Sequence, residues 1–306
     1  MSYLQKISYL SILLLAACFP KEDAVEPTPR INKSVMLDAG EYKNTVAFYS
    51  LDKAEVVAEA SPMDWDFYID EEVIRLNYFR SMQVAKFDQS WDKLEDTVGL
   101  DFRNLTYDSY ESMSQWELAE GQIYVVDYGL DNEFNPTGLT SVRFERTTTG
   151  VKIWQNAIGS DYETFEEVNE ASFYYNIREK RTLDLPKETE YDVAFGKYTD
   201  LVTIDNITQD YLIYGAIQGK ALAYYENEPF DSVKTEQFNA IRLMNNKDVL
   251  GWDWKNYNRP KDAYEIVDNR TYLIMSNAGF KYKLRFVSFY NTAGQSGHPT
   301  FEWKLL

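Results

Sequence analysis

An all-β or β-dominated fold, made of antiparallel sandwich-like sheets with few short helices, is what this sequence predicts. Aromatic residues carry much of that expectation: 24 Tyr, 17 Phe and 7 Trp make 16% of the 306 residues. Such side chains fit a pleated, half-buried surface better than a helix. Short segments of apolar/polar alternation recur from about residue 44 to the C-terminus, while helical periodicity is weak everywhere. With 44% apolar and 26% charged residues the chain has the composition of a globular protein rather than a disordered one.

The N-terminus comes first. Lys6 precedes an apolar run from Ile7 to Leu15 that closes on Leu15-Ala16-Ala17-Cys18. The run falls short of the ~20 residues that span a bilayer but suits the core of a signal peptide. Small residues before a cysteine give a lipoprotein signal peptidase access to the bond, so this ending resembles a bacterial lipobox. Residues 1–17 are expected to be a signal peptide and Cys18 the lipidated first residue of the mature chain. At ~0.8 kcal/mol per buried methylene, two or three acyl chains would anchor it stably. Residues 18–38 read as a flexible tether, semi-extended because of Pro20, Pro27 and Pro29. Lys21-Glu22-Asp23, just past the cysteine, resembles the surface-export signal of Bacteroidota lipoproteins. The expected location is an outer membrane, lipid-anchored and facing outward.

Strands follow. Thr45–Ser50, Ala54–Glu59, Asp66–Ile69, Val73–Asn77, Gln122–Asp127, Ser141–Glu145 and Val151–Gln155 are the candidates before residue 165. After it come Ser172–Asn176, Asp192–Phe195, Asp200–Ile204, Ala221–Tyr225, Thr271–Met275 and Phe301–Lys304. The clearest segment is Lys281–Phe286, where Tyr282, Leu284 and Phe286 share one face and Lys281, Lys283 and Arg285 the other. Val287 and Phe289 then continue on the opposite parity, which predicts a bulge. Ser90–Asp96 and Thr235–Leu243 are the short helix candidates.

The halves resemble each other. A shift of 126 places Phe48-Tyr49-Ser50 on Tyr174-Tyr175-Asn176 and Asp64-Trp65-Asp66 on Glu190-Tyr191-Asp192. Two β domains are therefore expected, 39–165 and 166–306, as diverged copies or one expanded unit.

Charge and residue counts exclude several chemistries. Asp+Glu outnumber Lys+Arg by 49 to 31, a formal charge of −18 that opposes nucleic-acid binding. One cysteine and one histidine exclude an intrachain disulfide, a multi-cysteine metal site and any site needing two imidazoles. No phosphate-cradling glycine loop or Ser–His or Cys–His nucleophile is present. Acids such as Asp64/Asp66 and Asp70/Glu71/Glu72 read as turn and solvated-face residues, not a glycosidase pair. Asp131-Asn132-Glu133 with Asn135 departs from the calcium-loop spacing and reads as a polar turn. A non-enzymatic role with no resident metal is expected.

One family resemblance emerges from ordered motifs. Residues 42–50, Lys53-Ala54-Glu55-Val56-Val57, Asp64-Trp65-Asp66 and Arg75-Leu76-Asn77 resemble the opening of HmuY-like proteins. Gly251-Trp252, Tyr272-Leu273-Ile274, Lys283-Leu284-Arg285-Phe286 with Phe289-Tyr290, and Pro299-Thr300-Phe301-Glu302 resemble their closing section. The resemblance implies a β-rich outer-membrane lipoprotein of Bacteroidota that captures haem and passes it to a TonB-dependent receptor. The paired histidine ligands of the family's type member have no counterpart here, because His298 stands alone in an expected turn. By position after Trp252 the resemblance points to Tyr257 as an axial ligand, and Met244 is the best-placed thioether. Core filling by Met244 and a plain loop or sheet role for Tyr257 are the alternatives.

Glycan capture is the competing function, since Trp and Tyr stack on sugar faces while carboxylates bind hydroxyls. Trp252 and Trp254 would point the same way from a strand, and Trp91, Trp116 and Trp154 are further candidates unless they are core. A structural or partner-binding surface module is the third reading.

Overall fold

The computed structural model describes residues 33–40, 43–105, 116–131, 133, 135–160, 162–204 and 206–306. The signal peptide, Cys18 and the export signal lie outside the described residues. In chain order the first strands are β1 (Lys33–Met36), β2 (Val46–Ser50), β3 (Glu55–Ala60), β4 (Phe67–Ile69) and β5 (Ile74–Leu76). A meander follows, β6 (Gln83–Phe87), β7 (Ile123–Asp127), β8 (Leu139–Arg146), β9 (Val151–Asn156) and β10 (Thr164–Val168). Next come β11 (Phe173–Asn176), β12 (Arg181–Leu183), β13 (Val193–Ile204), β14 (Ile207–Gln218) and β15 (Leu222–Glu226). The last are β16 (Lys255–Asn258), β17 (Ala263–Ile266), β18 (Thr271–Met275), β19 (Lys281–Tyr290) and β20 (Ser296–Leu305). The fold is β-dominated, as the composition predicts.

Four sheets stack face to face. Two five-stranded sheets, β10-β9-β8-β7-β6 and β1-β20-β19-β18-β15, lie outermost, and two four-stranded sheets, β12-β11-β4-β5 and β14-β13-β2-β3, lie between them. Period-two alternation explains the layering. In β2, Val46 and Phe48 face one core, while Ala47 and Tyr49 face the other. Phe67 meets Phe144 of an outer sheet at 5.0 Å, Phe48 meets Tyr174 across the middle at 6.3 Å, and Phe195 stacks on Phe301 of the other outer sheet at 4.9 Å. Aromatic side chains fill the spaces between sheets because each buries a large apolar area and tolerates edge-to-face contact.

The pairing repeats under the 126-residue shift. Asp66 N–H donates to Tyr175 O and Asp192 N–H to Tyr49 O, both at 2.9 Å. Ile177 N–H donates to Asp66 Oδ2 at 2.9 Å, and Leu51 N–H to Asp192 Oδ2 at 2.7 Å. These are the same bonds with the halves exchanged. β4 pairs with β11, and β2 pairs with β13. β1 completes the C-terminal outer sheet by pairing with β20. The stretches 39–165 and 166–306 are thus interleaved through shared sheets rather than set side by side, and residues 31–306 form one compact unit.

Other sequence expectations need correction. Residues 33–36, inside the expected tether, form β1. The expected strands Asp192–Phe195 and Asp200–Ile204 merge, from Val193 onward, into one continuous strand, β13. The two helix candidates contain only 3₁₀ turns at 91–93, 235–237 and 240–242. The bulge expected after Phe286 is present, with register shifts on both sides of Ser288. His298 sits within β20, not in a turn, with Nδ1 3.7 Å from Asp38 Oδ1.

Candidate functional site

The β13–β14 ribbon is twelve residues long on each side, and its distal half runs beyond the strands that flank it. Its outer residues, including Leu201, Ile207 and Tyr211, are exposed. The turn 251–254 is held against this ribbon by a close backbone approach. Ala216 N–H donates to Gly251 O at 2.9 Å, and a Cβ at Gly215 would meet that same oxygen at 2.5 Å. Glycine is required there by contact. β16 and β17 then fold over, turning on a 3₁₀ turn at 259–261 that ends with Asp262 in the left-handed region.

Between the ribbon and the β16–β17 hairpin lies a cavity of about 510 Å³. Tyr211 and Ile213 form one wall, Tyr257 and Tyr264 the other, with Trp252, Lys255 and Arg259 completing it. Tyr257 pairs in register with Tyr264, their rings 5.3 Å apart. The Tyr257 ring is half exposed, and its hydroxyl donates to Asp262 Oδ1. That hydrogen bond to a carboxylate holds the phenol above its ordinary pKa, because ionisation would set two negative oxygens together.

Lys255 is the unexpected member. It is 2% exposed, and Nζ donates to Tyr214 O at 2.5 Å and Trp252 O at 3.3 Å. Nζ also lies 4.5 Å from the Trp254 ring and 5.1 Å from Phe289. Burial drives its pKa down to about 7, with Asp253 only partly opposing that shift. Sequence reading missed it, since a lysine one residue past two tryptophans gives no sign of being buried.

Trp252 links two depressions. It donates from Nε1 to Asp200 Oδ2 at 2.8 Å. Burial, with Asp248 nearby, pushes the Asp200 carboxyl up. On that side a smaller depression of about 360 Å³ is lined by Asp200, Asp248, Asn246, Tyr225, Trp252 and Met244. Met244 is 41% exposed, so it is not core filling; its backbone bridges Ala223. The two candidate ligands therefore line neighbouring depressions on either side of Trp252, not one cavity.

The other sequence candidates resolve as follows. Trp254 leaves a turn rather than a strand and is buried, stacked on Phe286 at 4.0 Å. Trp91 and Trp116 are buried as well. Trp154 is partly exposed and stacks with Phe165 at 4.6 Å, with Nε1 bonded to Glu145. Asp66 is fully buried against Arg80 at 2.8 Å, not solvated. Asp70 caps its turn by accepting from Glu72 and Val73 N–H, and Asp131 likewise accepts from Glu133 and Asn135 N–H. Among the described residues no cluster of three or more acidic, His or Cys side chains suits a metal ion.

Comparison with known proteins bears on the family. No curated protein matches the sequence. Among solved structures, the apo HmuY analog of Tannerella forsythia is 11% identical, covering 92% of this chain and 98% of its own, with a TM-score of 0.39. Apo PinO from Porphyromonas gingivitis is 8% identical over 90% of this chain and 97% of its own, again with a TM-score of 0.39. A putative lipoprotein of Bacteroides fragilis is 15% identical over 90% and 92%, with a TM-score of 0.25. None superposes closely enough to transfer a site. The family model described as HmuY protein matches residues 41–303, nearly the whole described fold, and the chain belongs to the HmuY family.

Proposed function

We propose that the protein is a surface lipoprotein, anchored through Cys18 in an outer membrane, that binds haem without catalysing a reaction and hands it to a TonB-dependent receptor. The observation that carries the haem reading is the cavity between the ribbon and the β16–β17 hairpin. Its volume of about 510 Å³ lies within the range for small-molecule sites, roughly 300–1,000 Å³. Its walls are aromatic, Tyr257 lines it with its hydroxyl bonded to Asp262, and Arg259 brings positive charge suited to a propionate. Family membership supports the same ligand.

Haem iron accepts a tyrosine oxygen as an axial donor, and ferric iron favours the phenolate. Tyr257 must then lose the proton it now shares with Asp262, the acceptor already in contact with it. Tyr257→Phe is therefore expected to remove the phenolate-to-iron charge-transfer absorption and to weaken ferric haem binding at least tenfold, about 1.4 kcal/mol. Absorption titration with haemin checks this. A change in Met244→Ala with none in Tyr257→Phe would move the ligand to the thioether.

The smaller depression favours a second reading, glycan capture. Trp252 and Tyr225 offer ring faces, and Asp248 and Asn246 offer hydroxyl partners. Saturable binding on a glycan array, with no spectral response to haemin, would select it.

A further inference from the structure

β16 and β17 form a two-stranded sheet of their own, one wall of the cavity beside the ribbon. The base of this hairpin is pinned. Trp254 is buried and stacked on Phe286 at 4.0 Å, and its carbonyl accepts from Val267 N–H at 2.9 Å. Arg270 grips Asp253 through the backbone oxygen at 3.0 Å and the carboxylate at 2.6 Å. Beyond the Lys255–Ile266 pair the arm is braced internally. Tyr257 stands opposite Tyr264, its hydroxyl donates to Asp262, and Lys261 Nζ donates to Glu265 at 2.6 Å. Asn256, Tyr257, residues 259–262 and Glu265 are exposed. A pinned base carrying a self-braced, solvated arm has the parts of a hinge.

Against β19 the arm is held at Tyr264. Its N–H donates to the Tyr290 hydroxyl at 2.6 Å, and its ring meets Phe289 edge-on at 5.3 Å. Phe289 and Tyr290 are consecutive, and a regular strand would send them to opposite faces. The bulge prevents that. Register shifts fall on both sides of Ser288, whose hydroxyl donates to Tyr290 O and accepts from Tyr290 N–H, each at 2.9 Å. Both aromatic side chains thereby reach the same residue of the arm. The phase slip visible in the sequence after Phe286 thus serves this attachment.

We propose that the β16–β17 arm is a gate that swings about the Lys255–Ile266 pair to widen the cavity, and that the Tyr290 hydroxyl is its latch. The latch is a hydrogen bond from one backbone N–H, so releasing it costs little beside unfolding the sheets. Tyr257 rides on the arm, and closure brings it opposite Tyr211 and Ile213 across the cavity. That haem is what passes the gate rests on the reading above; the motion itself does not.

Tyr290→Phe tests the latch, because it removes the oxygen and keeps the ring beside Phe289. The arm and the ribbon tip are spin-labelled through Lys261→Cys and Thr208→Cys, both exposed positions, and their separation is measured without haem. The population at longer distance is expected to grow roughly five- to tenfold in Tyr290→Phe, the effect of one hydrogen bond. Stopped-flow mixing with haemin gives the second readout. Because the latch is remade once the arm closes over its ligand, association and dissociation should both quicken roughly five- to tenfold, with the affinity kept within about threefold. Distances that do not respond, or dissociation that quickens alone, overturn the proposal. Responding distances without haemin binding would remove the haem reading and leave the gate; haemin binding with unresponsive distances would remove the gate and leave the haem reading.

Discussion

Glu188→Ala is expected to destabilise the protein by roughly 3–5 kcal/mol, the cost of leaving buried charges unpaired. Glu188 is 1% exposed and stands between two cations. Arg75 Nη1 donates to Oε1, and Lys247 Nζ donates to Oε2 at 2.7 Å. Burial alone would raise its carboxyl, yet Arg75 and Lys247 hold it below the ordinary range. Arg75 keeps a second carboxylate in Glu117 at 3.0 Å, and Lys247 keeps Gly219 O at 2.6 Å. The alanine variant therefore strands part, not all, of the positive charge, which sets the lower end of the range. The network ties β5 to the segments 188–192 and 247–251, across the two halves of the chain. The midpoint of urea unfolding checks it, and a shift below 1 kcal/mol would mean that water reaches the network.

Lys255 is expected to make stability rise with pH between about 7 and 10. Its folded pKa is lowered to about 7 from a model-compound value of 10.5. Between these values the unfolded chain binds a proton that the folded chain does not, so raising the pH favours folding. Below about pH 7 both states are protonated, and the full penalty of the buried ammonium is present. Across the window the gain is on the order of 4 kcal/mol, at about 1.36 per pH unit. Buried tyrosines such as Tyr272, pushed up by burial, act in the opposite direction above pH 10. Comparison with Lys255→Met isolates the lysine: the unfolding midpoint of the unaltered protein should rise relative to that of the variant from pH 7 to 9.5. A difference that stays flat would mean that Lys255 keeps its proton throughout. In that case the rings of Trp254, Tyr264 and Phe289 and the two carbonyls around Nζ hold the ammonium more strongly than desolvation opposes it.

How much of this was legible in the sequence differs by level. Strand positions were readable where alternation is set by a single core, as in Lys281–Phe286. β6 and β12 gave weaker signals, and the exposed half of β14 gave none, since residues 207–211 face solvent on both sides and carry no alternation. The internal shift of 126 residues was visible through a few aromatic and acidic positions. Which strands pair was not: β2 with β13 and β4 with β11 depend on partners more than 100 residues away. At the candidate site, Tyr257 and Trp252 were found from their place in ordered motifs. Lys255, Arg259 and Tyr211 were not, because their convergence is made by two hairpins folding toward each other. Asp66 looked like a solvated acid because its partner Arg80 is fourteen residues on, in a separate turn.

Haem is expected to enter the cavity beside Tyr257. The direct measurement is an absorption titration of haemin into residues 31–306, the compact unit, with the iron first ferric and then reduced. One saturable equivalent with a shifted Soret band is expected in the ferric state. On reduction binding should weaken, because ferrous iron holds a phenolate poorly. A spectrum that stays that of free haemin at every ratio would contradict the account and leave a HmuY-family fold whose cavity serves another ligand.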